Sequence, residues 1–245
     1  MTPDHLRAAL TERMTEQGAK WLAGACASVT TDPGVVRGLF PLAGRRCGRG
    51  PLDPADPHGW TVDDAARSLL LAALPLTGAP LLEEIGELYR TGDAAERRAV
   101  LRALPLLPVG DGGLPLVRDA LRTNDTRLVA AALGDYATDH LDAETYRQGV
   151  LKCVFTGIPL AALPGLPGRA DAEMARMMAA FAHERRAAGR TVPDDIAPVL
   201  ALFPDVTVPG PRDLQDVSTA TTATTATSSI TATSSTTDRP SPREA

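Results

Sequence analysis

The chain has 245 residues, of which 44% are hydrophobic, and a formal net charge of −5 at pH 7. This length predicts one sizeable folded domain, and the acidic balance disfavours a generic binder of nucleic-acid phosphates, because such affinity rests on an excess of lysine and arginine. Three widely spaced cysteines, Cys26, Cys47 and Cys153, form no C-x-x-C pair and predict reduced structural thiols rather than a zinc or redox site.

The N-terminal part of the chain is predicted to form one long helix, a shorter helix and a loop. A helix start at Thr2 and Pro3, followed by apolar residues every four positions, predicts a helix over about residues 2–22. A second helix is predicted over 33–40. Residues 44–60 hold four glycines and three prolines, so we expect the longest internal loop there.

Helical order is predicted to resume at Thr61 and to continue almost to residue 190. Thr61 and Asp64 have the spacing of a capping box, with aspartate in place of the usual glutamate. No stretch alternates at period two for long enough to form a strand, so the predicted fold class is all-α. The predicted helices cover 65–74, 80–89, 93–104, 115–122, 125–136, 142–154 and 171–188.

One of these helices combines an apolar stripe with several arginines. Asp93 and Glu96 are expected to cap its start. Arg97, Arg98 and Arg102 fall away from the stripe and are expected mainly to face solvent.

A short internal repeat marks two of the predicted turns. The letters of Arg90–Asp93 recur, with Asn for Gly, in Arg122–Asp125 at an interval of 32. The Gly and the Asn are expected to take the left-handed conformation that ends a helix, and the Asp to cap the next helix. The interval predicts stacked short helical hairpins, a HEAT/armadillo-like α-solenoid, although common helix-turn chemistry is an alternative origin of the same letters.

The C-terminal end of the chain carries little to bury. Residues 218–237 are nearly all Thr, Ser and Ala, so we expect a helical domain over 1–205 and a disordered Thr/Ser/Ala-rich tail over 206–245.

The N-terminus lacks the apolar core of a secretory signal. The apolar stretch 68–82 is interrupted by proline and glycine and is expected to be a buried helix pair rather than a transmembrane segment. A cytoplasmic protein is therefore predicted.

No standard hydrolase, nucleotide-binding or metal-ligand motif is present, and no metal or cofactor is predicted. The nearest cluster of reactive groups is Asp135, Tyr136 and His140, with Asp139 and Asp142 beside them. These groups would bind a metal or share a proton only if they converged. The structural alternative makes Asp142 a helix cap and the others a solvated helix end.

Two further residues are candidates for ligand binding. Lys152 is one of only two lysines in an arginine-rich chain and has the chemistry for a Schiff base, but a cation near the end of its helix is also stabilised by the helix dipole. Arg185 lies in line with the apolar stripe of the last long helix, where it either extends its head to solvent or meets an anionic ligand at a pocket rim. Cys153 falls on an apolar stripe and is expected to be core.

A third functional alternative is nucleic-acid binding by a helical-repeat array. It requires a basic concave face built from six arginines, and the acidic total argues against it. These are Arg97, Arg98, Arg102, Arg118, Arg122 and Arg127.

Four segments carry a family resemblance: Leu88–Asp93, Leu121–Asp125, Leu151–Pro159 and Phe181–Arg190. Through them the chain resembles the EboA family over residues 87–190, and the resemblance is fainter upstream around Trp21. It implies a protein of a secondary-metabolite gene cluster that assists the biosynthesis or traffic of a small molecule, and it assigns no catalytic residue. The resulting hypothesis is a non-catalytic accessory protein that binds the metabolite or partner enzymes, with an enzyme of the same pathway as the alternative.

Overall fold

The computed structural model describes residues 1–56 and 58–206, which fold as an all-helical unit without a β-strand. Of the predicted tail 206–245, everything beyond Val206 lies outside the described residues, so its disorder stays a prediction. The α-helices are α1 (Pro3–Arg13), α2 (Glu16–Thr31), α3 (Val36–Leu39), α4 (Ala43–Arg46), α5 (Val62–Ala72), α6 (Gly78–Thr91), α7 (Ala94–Ala103), α8 (Leu114–Arg122), α9 (Thr126–Ala132), α10 (Asp135–His140), α11 (Ala143–Thr156), α12 (Leu166–Arg169), α13 (Ala172–Ala187) and α14 (Ala197–Ala201). Short 3₁₀ turns lie at Pro33–Val35, Phe40–Leu42, Leu104–Leu106, Gly110–Gly113, Leu160–Ala162 and Asp194–Ile196.

The prediction of a single long N-terminal helix over 2–22 is wrong, because extended backbone separates α1 from α2. Met14 ends α1 with extended backbone, at φ −94° and ψ 154°. The hydroxyl of Thr15 then accepts a hydrogen bond from the Gly18 amide at 3.2 Å and caps a new helix. Thr15 therefore caps the start of α2 directly after α1 has ended at Met14. The apolar spacing in the sequence continues across this interruption.

The helix predicted over 125–136 is likewise two helices. It ends at Ala132, and Gly134 is extended, at φ −75° and ψ −164°, before α10 begins. Leu133 and Tyr136 are still buried, as the apolar pattern indicated. Periodicity predicted which side chains face the core but not where the backbone turns.

The two repeated turns lie between helices as predicted, but Gly92 does not take the left-handed conformation expected of it. Gly92 and Thr123 end α6 and α8 with nearly the same extended backbone, at φ −74° and ψ 157° and at φ −74° and ψ 163°. Asp93 forms the predicted capping box with Glu96. A Cβ at Gly92 would lie 2.6 Å from the Leu88 carbonyl oxygen, so the glycine provides a close backbone approach rather than a positive φ.

Helices α5, α7, α9, α11 and α13 each pack against the next in this order. Helix α6 packs on α7 and α8 packs on α9, while α1 and α2 pack on α5. The apolar stripes that the sequence predicted are buried between these helices. They include Val100, Met174 and Met178, all of which are at most 1% exposed. This row brings α7, the start of α9 and the end of α11 to one side of the molecule, where they meet the loop before α5.

Candidate functional site

Two adjacent carboxylates at the start of α5 are buried. Asp63 pairs with Arg67 one helical turn later, at 2.6 Å between Oδ2 and Nη1, and both side chains are at most 3% exposed. Arg67 also donates from Nε to the Phe40 carbonyl oxygen at 3.1 Å. The hydroxyl of Thr61 donates to Asp63 Oδ1 at 2.7 Å. Each buried charge in this pair therefore has an opposite charge and a further hydrogen bond, as burial requires.

Asp64 is completely buried and is shared by two arginines of α7. Arg98 Nε lies 3.0 and 2.9 Å from the two carboxylate oxygens, and Arg102 Nη1 lies 3.4 Å from Oδ2. Burial raises the pKa of Asp64, while the two guanidinium groups act to lower it. The expectation that these arginines face solvent is wrong, since both side chains are only 14% exposed.

The capping box predicted at Thr61 and Asp64 is only half formed. The Thr61 hydroxyl accepts from the Asp64 amide at 3.4 Å, as a cap should. The Asp64 carboxylate does not return to the Thr61 backbone, because it is occupied by Arg98. Asp64 thus joins α5 to α7 instead of closing its own helix.

The buried cluster forms one wall of a groove with a volume of about 340 Å³, here called the arginine groove. Its lining contains three arginines, Arg98, Arg102 and Arg127, together with the turn that follows α11. The complete lining is His58, Gly59, Thr61, Arg98, Arg102, Thr126, Arg127, Ala130, Thr156, Gly157, Ile158, Pro159 and Ala162.

Arg102 uses little of its hydrogen-bonding capacity within the described residues. A guanidinium has five N–H donors, and within the described residues Arg102 makes one hydrogen bond, from Nη2 to the His58 carbonyl oxygen at 3.2 Å. Its Nη1 is buried without a hydrogen bond, although it is close to Asp64. Burial lowers the pKa of Arg102, and the charge of Asp64 opposes that shift. This cation is therefore only partly compensated by the protein.

A second groove of about 260 Å³ shares five lining residues with the arginine groove: His58, Gly59, Arg102, Ala130 and Ala162. Asp135, one of the residues singled out in the sequence, lines it and lies 3.5 Å from the Met1 amine. This is the point at which the predicted residues come nearest to the grooves.

Tyr136 and His140 are brought together, as the cluster hypothesis required. Their rings stack with centroids 4.4 Å apart, and His140 Nδ1 lies 2.7 Å from Asp111 Oδ1. The Tyr136 hydroxyl donates to the Gly110 carbonyl and accepts from the Gly113 amide at 3.0 Å. The hydroxyl therefore holds the turn before α8. Burial raises the pKa of Tyr136, which keeps its proton in that hydrogen bond at neutral pH.

Lys152 and Arg185 each donate hydrogen bonds to backbone carbonyl oxygens. Lys152 Nζ donates to the Leu121 and Thr123 carbonyl oxygens at 2.8 and 2.6 Å, so it caps the C-terminal end of α8 rather than of its own helix. Arg185 Nε donates to the Thr191 carbonyl oxygen at 2.5 Å, and its guanidinium lies 5.4 Å from the centre of the Phe181 ring. Cys153 is fully buried, as predicted, and burial raises its pKa to about 12.

The arginines of the basic face required for nucleic-acid binding are paired with four aspartates, Asp64, Asp119, Asp125 and Asp142. All six arginines named for that face lie within 3.4 Å of a carboxylate oxygen. Within the described part of the chain, no cluster of three or more His, Cys, Asp and Glu side chains is arranged to hold a metal ion. No helix among the described residues is long and apolar enough to cross a membrane.

Sequence reasoning did not single out the arginine groove. A local signal existed, since Arg98 and Arg102 are four residues apart and share a face of α7. Their partner Asp64 is distant in sequence, and an acidic residue in the first turn of a helix is ordinarily explained by capping. Only the packing of α5 on α7 shows that the three charges meet.

A family model described as "Metabolite traffic protein EboA" matches residues 53–201, more than half of the chain. Nothing matches among curated proteins or among solved structures. Every residue that lines the arginine groove lies within the matched range.

Proposed function

Because the chain belongs to the EboA family of metabolite traffic proteins, we propose that it is a non-catalytic accessory protein that binds a small-molecule intermediate in the arginine groove. Its role is to assist the biosynthesis or traffic of that molecule within a secondary-metabolite pathway, alone or with the enzymes of the pathway. The single observation that carries this proposal is the groove itself, a concave site within the family-matched part of the chain.

The groove has the dimensions and composition of a ligand site. Pockets that hold small molecules have volumes of roughly 300–1,000 Å³ and combine an apolar lining with a few convergent polar groups. The arginine groove, at about 340 Å³, combines its arginines with apolar lining residues that include Ile158 and Pro159. These two residues belong to the segment 151–159, one of those that carry the resemblance to the family.

A non-catalytic role is supported by the way that the reactive side chains are used. The Lys152 amine is hydrogen-bonded to two carbonyl oxygens, and the Tyr136 hydroxyl to a carbonyl and an amide. Among residues 1–56 and 58–206, neither group is paired with a base that would activate it for covalent or acid–base chemistry, whereas both stabilise turns between helices.

We further propose that the row from α5 to α13 is a HEAT-like solenoid, with the groove on one of its sides. Packing of each odd-numbered helix against the next, with α6 and α8 paired to their neighbours, supports this arrangement. A stacked row exposes an extended side on which a partner enzyme and a small ligand are both accommodated.

The proposal is tested by recovering the ligand. The tagged full chain is purified from cells that express its neighbouring genes, and bound small molecules are extracted and identified by mass spectrometry. A matched variant, Ala162→Trp, fills the groove without touching its ion pairs, and Ala27→Trp places the same ring on an exposed position of α2.

We expect a small molecule to be recovered with the unmodified chain and with Ala27→Trp, but not with Ala162→Trp. Equal recovery from both tryptophan variants would place the ligand elsewhere. Recovery of neither a small molecule nor a pathway enzyme would contradict the accessory role.

A further inference from the structure

The charges around the arginine groove do not balance within the buried cluster. Three arginines, Arg67, Arg98 and Arg102, face two aspartates, Asp63 and Asp64, so the cluster carries one excess positive charge. Because these groups are largely buried, the excess is screened less than it would be on the surface.

The other charges near the groove do not cancel this excess. Arg127 is paired with Asp125 at 2.7 Å, so that pair is neutral. Asp56 also acts on Arg102, but it is exposed and lines the second groove rather than the arginine groove. Asp135 is paired with the Met1 amine. The excess charge therefore meets a cavity at Arg102, which lines both grooves, and of the two only the second groove is also lined by Asp56 and Asp135.

Arg102 supplies the donors that an anion would use. It makes one hydrogen bond to the protein within the described residues, its side chain is 14% exposed, and it lines the groove. Arg127 contributes from the rim: Nε and Nη2 bind Asp125, while no hydrogen bond of Nη1 to the described residues occupies it. Guanidinium groups match the oxygens of phosphate and carboxylate and bind them with charge-assisted hydrogen bonds.

We propose that the arginine groove binds an oxyanion, so that the ligand is a small organic molecule bearing a phosphate or carboxylate group held by Arg102 and Arg127. This inference rests on the proposed function, whose ligand it assigns to a chemical class. The acidic group lies at these arginines, and the remainder of the molecule packs against Ile158, Pro159 and Ala162.

The test is a calorimetric titration of the full chain with pyrophosphate and, separately, with citrate, each at an ionic strength matched with sodium chloride. Binding of pyrophosphate alone assigns a phosphate, and binding of citrate alone assigns a carboxylate. We expect Arg102→Gln and Arg127→Gln each to weaken the binding by roughly tenfold or more, because each removes a charge-assisted hydrogen bond. Arg176→Gln is the matched control, since that arginine is exposed on α13 and pairs with Glu173.

Arg127 keeps the test decisive if Arg102→Gln disturbs the fold, because its side chain is 60% exposed and its loss leaves the buried cluster intact. Absence of binding for both anions, or binding that neither groove variant changes, would overturn the inference. The two proposals fail separately. A neutral molecule recovered from the groove would remove the oxyanion assignment alone, whereas anion binding without any recovered metabolite or enzyme would remove the accessory role alone.

Discussion

Replacing Arg98 by Met should destabilise the protein through the carboxylate that it leaves behind. Arg98 contributes the two shortest contacts to the completely buried Asp64, at 3.0 and 2.9 Å, and Arg102 alone, at 3.4 Å, would remain. Methionine retains most of the apolar stem, so the loss is chiefly that of the charge. Removing one partner of a buried ion pair costs about 3–5 kcal/mol in free energy of unfolding.

The size of this effect depends on burial, and a second arginine pair provides the comparison. Asp119 is also shared by two arginines, Arg97 at 2.9 Å and Arg122 at 3.3 Å, but its side chain is 42% exposed. Because solvent screens an exposed pair, Arg122→Met should change the free energy of unfolding by about 0–1 kcal/mol. Urea unfolding followed by circular dichroism measures both variants.

The cost of Arg98→Met should also decline in acid. Burial raises the folded-state pKa of Asp64 above its unfolded value, and loss of Arg98 raises it further, because that guanidinium lowers it in the unmodified chain. A carboxyl group with a raised folded pKa is less destabilising once it is protonated, so the difference between the two proteins shrinks as the pH falls from 7 towards about 4. A loss below about 1 kcal/mol at pH 7, or one that does not change with pH, would refute the reasoning.

Three further outcomes follow from single contacts. Asp142→Ala removes the cap of α11 and should cost about 1 kcal/mol at pH 7. Because hydrogen bonding, first from the Thr145 amide, holds the pKa of Asp142 below its usual value, this stabilisation is present above the unfolded pKa and is lost as the pH falls through the folded one; a thermal melt series from pH 7 to about 3 checks it. Lys152→Met leaves the two carbonyls at the end of α8 without their donor and should lower stability by about 1–3 kcal/mol, with partial recovery in Lys152→Arg; unchanged melting of the Met variant would contradict the capping role. Among the cysteines, Cys26 should be alkylated before Cys153 in the folded protein at about pH 8, since Cys153 is fully buried and its pKa is raised to about 12; equal rates by mass spectrometry would argue against a closed core.

Helix starts were the most predictable features of this chain. Asp93, Asp125, Asp142 and Asp171 each cap the helix that the sequence assigned to them, because a cap depends on residues within one turn of the chain. The apolar stripes were equally predictable, since helical spacing alone determines which residues share a face. Helix ends were less so, and the break at Thr15 lies inside an uninterrupted apolar period.

The groove was not predictable by the same reasoning. Charged residues outside an apolar stripe are ordinarily solvated, and this expectation fails for Arg98 and Arg102 only because α5 presents Asp64 to them. The lining also joins the loop at His58 to the turn at Gly157, which are far apart in the chain. Proximity of that kind is a property of the packing, so no local spacing encodes it.

The packing of α1 on α5 gives the chain an order of assembly. Most helices of the row contact elements close to them in sequence, and such contacts form quickly because only short loops must close. Helices α1 and α2 also pack on the distant α5, and in α1 this contact with residues 62–72 is what buries Leu6 and Leu10. Helix α1 therefore docks late, and pulse-labelled hydrogen exchange should find its amides protected after those of α7 and α9. Earlier protection of α1 would show that the N-terminal helices nucleate the fold instead.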